Sequence, residues 1–83
     1  MNRLTLYTKP QCSLCDDALD VIEEARSKAV FELELKNILE DPADYDRYKH
    51  DIPVATWNGE EIFRHRIDTK AFELFLKERI ETL

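Results

Sequence analysis

Near its start this chain sets a long helix-like stretch between two strand-like runs, and that order restricts its fold more than anything else in the sequence. In Arg3-Leu4-Thr5-Leu6-Tyr7-Thr8, Leu4 and Leu6 alternate with Thr5 and Tyr7, the period of a strand. From Ser13 to about Lys28, the apolar residues Leu14, Ala18, Ile22, Ala25 and Ala29 recur at helical spacing. Asp16, Asp17, Asp20, Glu23, Glu24 and Ser27 fill the opposite face. Phe31, Leu33 and Leu35 then alternate strictly with Glu32, Glu34 and Lys36, which predicts a second, half-buried strand. A strand–helix–strand unit takes a right-handed crossover, so these two strands are expected to be parallel.

The second half adds three elements. Asp41-Pro42 joins an N-cap residue to a proline at the first helical position, predicting a short helix to about Lys49 with Tyr45 and Tyr48 on its inner side. Val54–Trp57 and Glu60–Phe63 flank Asn58-Gly59, a dipeptide suited to the positive φ angles of a type I′ hairpin turn. Trp57, at the hairpin end, is expected to pack across the strands. Asp68 is placed to cap a last helix reaching the C-terminus, with Phe72, Phe75, Leu76 and Ile80 along one stripe. The sum is βαβαββα: an α/β fold with a four-stranded mixed sheet flanked by helices.

With 83 residues, a single domain over residues 1–83 is expected, burying roughly 60–65% of the surface its unfolded chain exposes. Lys and Arg number 12 against 18 Asp and Glu, a net charge of −6, which argues against nucleic acid or an anionic membrane as partners. No apolar run is long enough to span a membrane, and Met1-Asn2-Arg3-Leu4-Thr5-Leu6 carries no secretory signal pattern. A cytoplasmic, monomeric protein is therefore expected. In a reducing compartment a close cysteine pair is more often catalytic or metal-binding than a structural staple.

Cys12 and Cys15 form such a pair, in Lys9-Pro10-Gln11-Cys12-Ser13-Leu14-Cys15-Asp16, at the junction of the first strand and the first helix. Cys12 falls at the helix N-terminus and Cys15 one turn inside. Unpaired N–H groups there carry partial positive charge and favour a thiolate, and Lys9 adds to it. A thiol with a pKa near 7 is about half ionised at pH 7, against about 3% for one near 8.5. Its intrinsic nucleophilicity falls about five-fold in exchange, so the net gain in attack is only about three-fold. The larger benefit is that Cys12 leaves readily when Cys15 attacks a mixed disulfide. Cys12 is thus the candidate nucleophile and Cys15 the resolving thiol. Asp16 and Asp17 act in the opposite direction if they lie near the sulfurs.

Two other readings of the pair compete: small buried helix residues, or half of a metal site. Neither His50 nor His65 stands at zinc-finger spacing; exposed surface positions are expected for both, and no metal. Tyr7 is expected to pack against a helix.

Together these residues resemble the glutaredoxin branch of the thioredoxin fold. The resemblance rests on Leu6-Tyr7-Thr8-Lys9-Pro10-Gln11-Cys12-Ser13-Leu14-Cys15, on Ile52-Pro53-Val54 before a strand, on Asn58-Gly59 and on Ile67-Asp68. It implies a thioredoxin-like fold in which Ile52-Pro53 is a cis peptide facing the cysteines. It also implies that the main chain of Ile52 pairs with an extended substrate, glutathione or a protein segment. Lys9 and Asp68 match residues that often serve glutathione. The activity implied is thiol–disulfide exchange that reduces small or protein disulfides, with no bound cofactor and with glutathione or a thioredoxin-type reductase as reductant. Ser13-Leu14 replaces the usual Pro-Tyr between the cysteines. The glycine pair that lets glutathione approach the backbone aligns with Phe63-Arg64, side chains without glycine's freedom. Arg64 or Arg66 could meet a glutathione carboxylate instead, or simply be solvated. A dedicated electron-transfer partner of one enzyme, an iron–sulfur cluster carrier and a redox-inactive binding module are the alternative functions.

Overall fold

The computed structural model describes residues 1–79. Strand β1 (Arg3–Thr8) lies inside a four-stranded sheet, with β2 (Glu32–Asn37) parallel to it on one side and β3 (Val54–Trp57) antiparallel on the other. Strand β4 (Glu60–Arg64) completes the order β2-β1-β3-β4. Helix α1 (Ser13–Arg26) makes the crossover from β1 to β2. A single 3₁₀ turn (Ile38–Glu40) and α2 (Pro42–Tyr48) lead to β3, and α3 (Thr69–Arg79) follows β4. The mixed sheet and the βαβαββα order match the expectation from patterning.

Local chemistry accounts for the joints. Asp41 caps α2, its Oδ1 accepting the N–H groups of Ala43 at 2.9 Å and Asp44 at 3.4 Å, with Pro42 at the first helical position. Asn58 and Gly59 take φ of 51° and 90°, the two positive values a type I′ turn requires. Asn58 also ties this turn to β1: its N–H donates to Arg3 O and its Oδ1 accepts from Arg3 N, both at 2.9 Å.

Side chains of alternate strand residues build a core on each face of the sheet. On one face Leu4, Leu6, Ala55 and Trp57 pack with Ala18 and Ile22 of α1 and with Phe72 and Leu76 of α3. On the other, Ile38, Tyr48 and Val54 close over Tyr7 and Ile52.

Several expectations change at this level. Helix α1 ends at Arg26 rather than Lys28, because Ser27 N–H and Lys28 N–H turn back to Glu24 O and Ala25 O and tighten the last turn. Strand β2 begins one residue late, and Phe31 packs edge-on against Trp57 and Phe72 from just before it. Leu35 is 54% exposed, since β2 is an edge strand covered only in part by the helices. Leu14 is also exposed, and Cys15 takes the inward position on α1. Tyr48 faces inward while Tyr45 is exposed beneath the Lys49 ammonium. Trp57 packs between layers, against Phe31 and Phe75, rather than across the hairpin. Helix α3 starts with Phe72 N–H bonded to Asp68 O at 2.9 Å, and the Asp68 carboxylate makes no hydrogen bond to that turn among the described residues. Ile80, expected on the inner stripe of α3, lies outside the described residues.

Phe72 is fully buried between three aromatic neighbours, Phe31, Phe63 and Phe75. Phe72→Ala is expected to lower unfolding free energy by about 3–5 kcal/mol, and Tyr45→Ala by no more than about 0.5 kcal/mol, in denaturant titrations.

Candidate active site

The sheet register gathers three connections at one end. Tyr7 pairs with Val54, so the next step along the two antiparallel strands sets Thr8 opposite Pro53. Val54 pairs in turn with Arg64 at the end of β4. The turn entering α1, the Ile52-Pro53 segment and the loop from β4 to α3 therefore meet at the C-terminal end of β1.

Within the first connection, Lys9 and Pro10 are exposed and Gln11 takes a φ of 58°, reversing the chain into α1. Cys12 is the N-cap residue, extended at φ −118° and ψ 103°, and its Sγ accepts the N–H of Cys15 at 3.2 Å. Its carbonyl accepts the first helical bond, from Asp16 N–H at 3.1 Å. A sulfur thus stands where Ser or Asp usually caps a helix. Cys12 and Cys15 are joined by a disulfide, their Cα atoms 5.2 Å apart. The two partners are unequal: Cys12 is half-buried, whereas Cys15 is 3% exposed on the inner face of α1. Ser13, Leu14, Asp16 and Asp17 are exposed around them.

The Ile52–Pro53 peptide bond is cis, with Pro53 fully buried and Ile52 half-buried. Ile52 N–H donates to Tyr48 O at 3.1 Å, which takes away half of the main-chain pairing expected of this residue. Its carbonyl has no backbone partner among the described residues. Beneath the segment, Tyr7 stacks at 4.5 Å from Tyr48, and burial, reinforced by Tyr48 and Asp44, raises its phenol above the ordinary value.

A clamp that sequence reasoning missed holds this segment. His65, at φ 72°, donates its N–H to both Asp51 O at 3.1 Å and Pro53 O at 2.8 Å. Its ring Nε2 lies 3.1 Å from Asp51 Oδ1, and Arg64 reaches Asp51 Oδ2 at 3.2 Å. Arg64 also makes a two-pronged pair with Glu61, at 2.8 and 2.9 Å. The His65 ring is exposed as expected, but its backbone is structural. A left-handed position filled by histidine leaves no mark in a single sequence. Arg64, one candidate for a glutathione carboxylate, has its guanidinium already shared between two carboxylates. Arg66 has no ion pair among the described residues and borders a hollow of about 320 Å³ with Leu14, Asp17, Val21 and Ile67. Lys9 and Asp68 are likewise exposed, and their side chains make no hydrogen bond among the described residues. Of the sequence-derived candidates, Cys12 and Cys15 are directly joined; Lys9, Ile52, Pro53 and Asp68 stand in the connections around them.

The family model of the glutaredoxin-like domain matches residues 3–77. The chain belongs to the glutaredoxin-like family. It is 37% identical over 71 residues to a glutaredoxin-like protein of Dictyostelium discoideum, an alignment covering 78% of this chain and 66% of that protein. The chain thus spans just under two thirds of that relative's length. Among solved structures it resembles a structural-genomics target protein from X. campestris, with a TM-score of 0.74, 29% identity and coverage of 90% and 96% of the two chains. A solution structure of a protein from Nitrosomonas europaea superposes with a TM-score of 0.78 at 23% identity, covering 90% and 91%. A mutant thioredoxin from Halobacterium salinarum shares the fold at 16% identity, with a TM-score of 0.72 and coverage of 99% and 77%. The cysteine pair of this glutaredoxin-like chain sits where β1 passes into α1, in a thioredoxin fold, and fits redox chemistry. Among the described residues, no cluster of three or more His, Cys, Asp or Glu side chains forms a metal site, and no helix is long and apolar enough to cross a membrane.

The Arg64 hydrogen bond holds the Glu61 carboxyl below its ordinary value. Its stabilising contribution is present above the ordinary glutamate range and is lost as pH falls through the lowered folded value. In a carboxyl NMR titration, Arg64→Ala is expected to return Glu61 upward to the ordinary range; no change would remove Arg64 as the cause.

Proposed function

We propose that this protein is a thiol–disulfide oxidoreductase in which Cys12 attacks and Cys15 resolves, reducing small or protein disulfides. The single observation that carries this reading is the asymmetry of the pair: a half-exposed sulfur at the helix cap, with its partner buried directly behind it. The amide hydrogen that Cys15 directs at Cys12 Sγ favours a negatively charged sulfur over a neutral one.

In the reduced protein, Cys12 thiolate attacks one sulfur of a substrate disulfide. The substrate's other sulfur leaves as a thiolate and takes a proton from solvent. Cys15 loses its proton and attacks Cys12 Sγ, expelling the second substrate thiol. Two electrons pass to the substrate, and the Cys12–Cys15 disulfide remains. Two equivalents of glutathione, or a thioredoxin-type reductase, return the pair to its dithiol form. No bound cofactor takes part.

The Ile52 carbonyl supplies a main-chain acceptor for an extended substrate, with Pro53 holding that carbonyl at the sheet end where β1 leads into the cysteine turn. Lys9 and Asp68 contribute one charge of each sign at the same end. A reducing compartment, the cytoplasm, suits a pair that must be regenerated after each turnover.

Turnover of a model disulfide with glutathione, and separately with a thioredoxin-type reductase, tests the reading and separates the two reductants. Cys12→Ser is expected to abolish turnover with both. Cys15→Ser is expected to accumulate a mixed disulfide on Cys12, seen as an adduct by intact mass. Turnover that survives Cys12→Ser would contradict the assignment.

A further inference from the structure

We propose that the free edge of β2 pairs with the same edge of a second copy of this chain, in an antiparallel two-fold arrangement centred on Leu35. This surface is independent of the redox site.

β2 is an outer strand of the sheet, six residues long, and pairs with β1 residue for residue without a bulge. Glu32 N–H donates to Asn2 O at 2.8 Å, so Glu32, Glu34 and Lys36 turn their backbone groups toward β1. By alternation Leu33, Leu35 and Asn37 turn theirs outward; among the described residues those of Leu33 and Leu35 are unpaired, ready to accept another strand, while the Asn37 carbonyl opens the 3₁₀ turn. The opposite edge is protected: β4 pairs irregularly with β3 at Ala55/Thr56, and Arg64 at its end is tied to Asp51 and Glu61. β2 carries no bulge; its Glu32 is tied to Arg3 and its Glu34 accepts from Thr5, both from the β1 side, and Leu35 is 54% exposed on it.

Its charges select a self-complementary register. With Leu35 opposite Leu35 of the partner subunit, Glu34 meets Lys36 of the partner subunit, and Lys36 meets the partner's Glu34. Leu33 then faces Asn37 of the partner subunit. Leu35 exchanges both backbone hydrogen bonds with its own copy, and each Asn37 N–H donates to the carbonyl of the partner's Leu33. Sliding so that Leu33 meets the partner's Leu35 would set Glu34 against Glu34 of the partner subunit, a like-charge pair at the two-fold, and would leave Lys36 facing the partner's Glu32, which Arg3 already holds. The symmetric contact is isologous and closed, and it doubles the four-stranded sheet. Because the partner strands run in opposite directions, the two Cys12 ends point away from each other and both stay open. A net charge of −6 on each copy opposes the approach, and a single strand edge is a small interface, so pairing depends on concentration. This departs from the monomer expected on size alone.

Sedimentation across a dilution series, on the wild type, on Glu34→Lys, on Lys36→Glu and on an equimolar mixture of the two variants, tests it. Wild-type weight-average mass is expected to rise from one chain toward two. Each variant alone sets like charges opposite each other at both cross-subunit positions and is expected to stay at one chain. The mixture restores both opposite-charge pairs and is expected to recover association. In the wild type, amide exchange at Leu35 and Asn37 is expected to slow as concentration rises. A constant one-chain mass, variants that associate as well as the wild type, or exchange at these two amides that ignores concentration would each overturn the proposal.

Discussion

The position of β1 between β2 and β3 is the constraint on which the rest of this structure depends. Its parallel bond to β2 forces the chain to cross the sheet face through α1, so that α1 begins just past the C-terminal end of β1. Its antiparallel bond to β3 sets the start of β3 at that same end, with Pro53 opposite Thr8. Two segments far apart in sequence, the cysteine turn and Ile52-Pro53, are therefore brought to one edge of the sheet by backbone pairing alone. Leu4 and Leu6, fully buried beneath α1 and α3, hold the strand in that register, because a one-residue slip would turn both toward the wrong face.

The site built on this frame divides labour between neighbouring groups. Burial of Cys15 on the inner face of α1 ties it to the core, while Cys12, three residues earlier, caps the helix from its rim. Asp51, His65 and Arg64 fix the Pro53 segment from the other side through main-chain and side-chain bonds. These ion pairs are largely exposed and individually worth little; the two main-chain bonds from His65 carry more of the restraint. The same clamp engages Arg64, so among the described residues the hairpin end offers Arg66 rather than Arg64 as its unpaired cation.

Most of the fold was legible because its signals are local. The alternation of β1, the cap and proline at Asp41-Pro42 and the Asn58-Gly59 turn each need only a few neighbouring residues, and each forms where expected. What was not legible depends on neighbours distant in sequence. Leu14 and Leu35 fit the apolar pattern yet are exposed, because coverage depends on where the helices end over the sheet. Trp57 packs against Phe31 and Phe75, partners supplied by a loop and by α3. The spacing of Cys12 and Cys15 identified the pair, but the Ile52 N–H bond to Tyr48 and the His65 clamp arise only once α2 and β4 close around the segment.

Site-resolved alkylation of the fully reduced protein bears most directly on the asymmetry of the two sulfurs. At neutral pH, iodoacetamide is expected to label Cys12 rapidly and Cys15 much more slowly, as read by peptide mass spectrometry over time. Equal labelling of both thiols, or faster labelling of Cys15, would contradict a reactive sulfur at the helix cap backed by a protected partner.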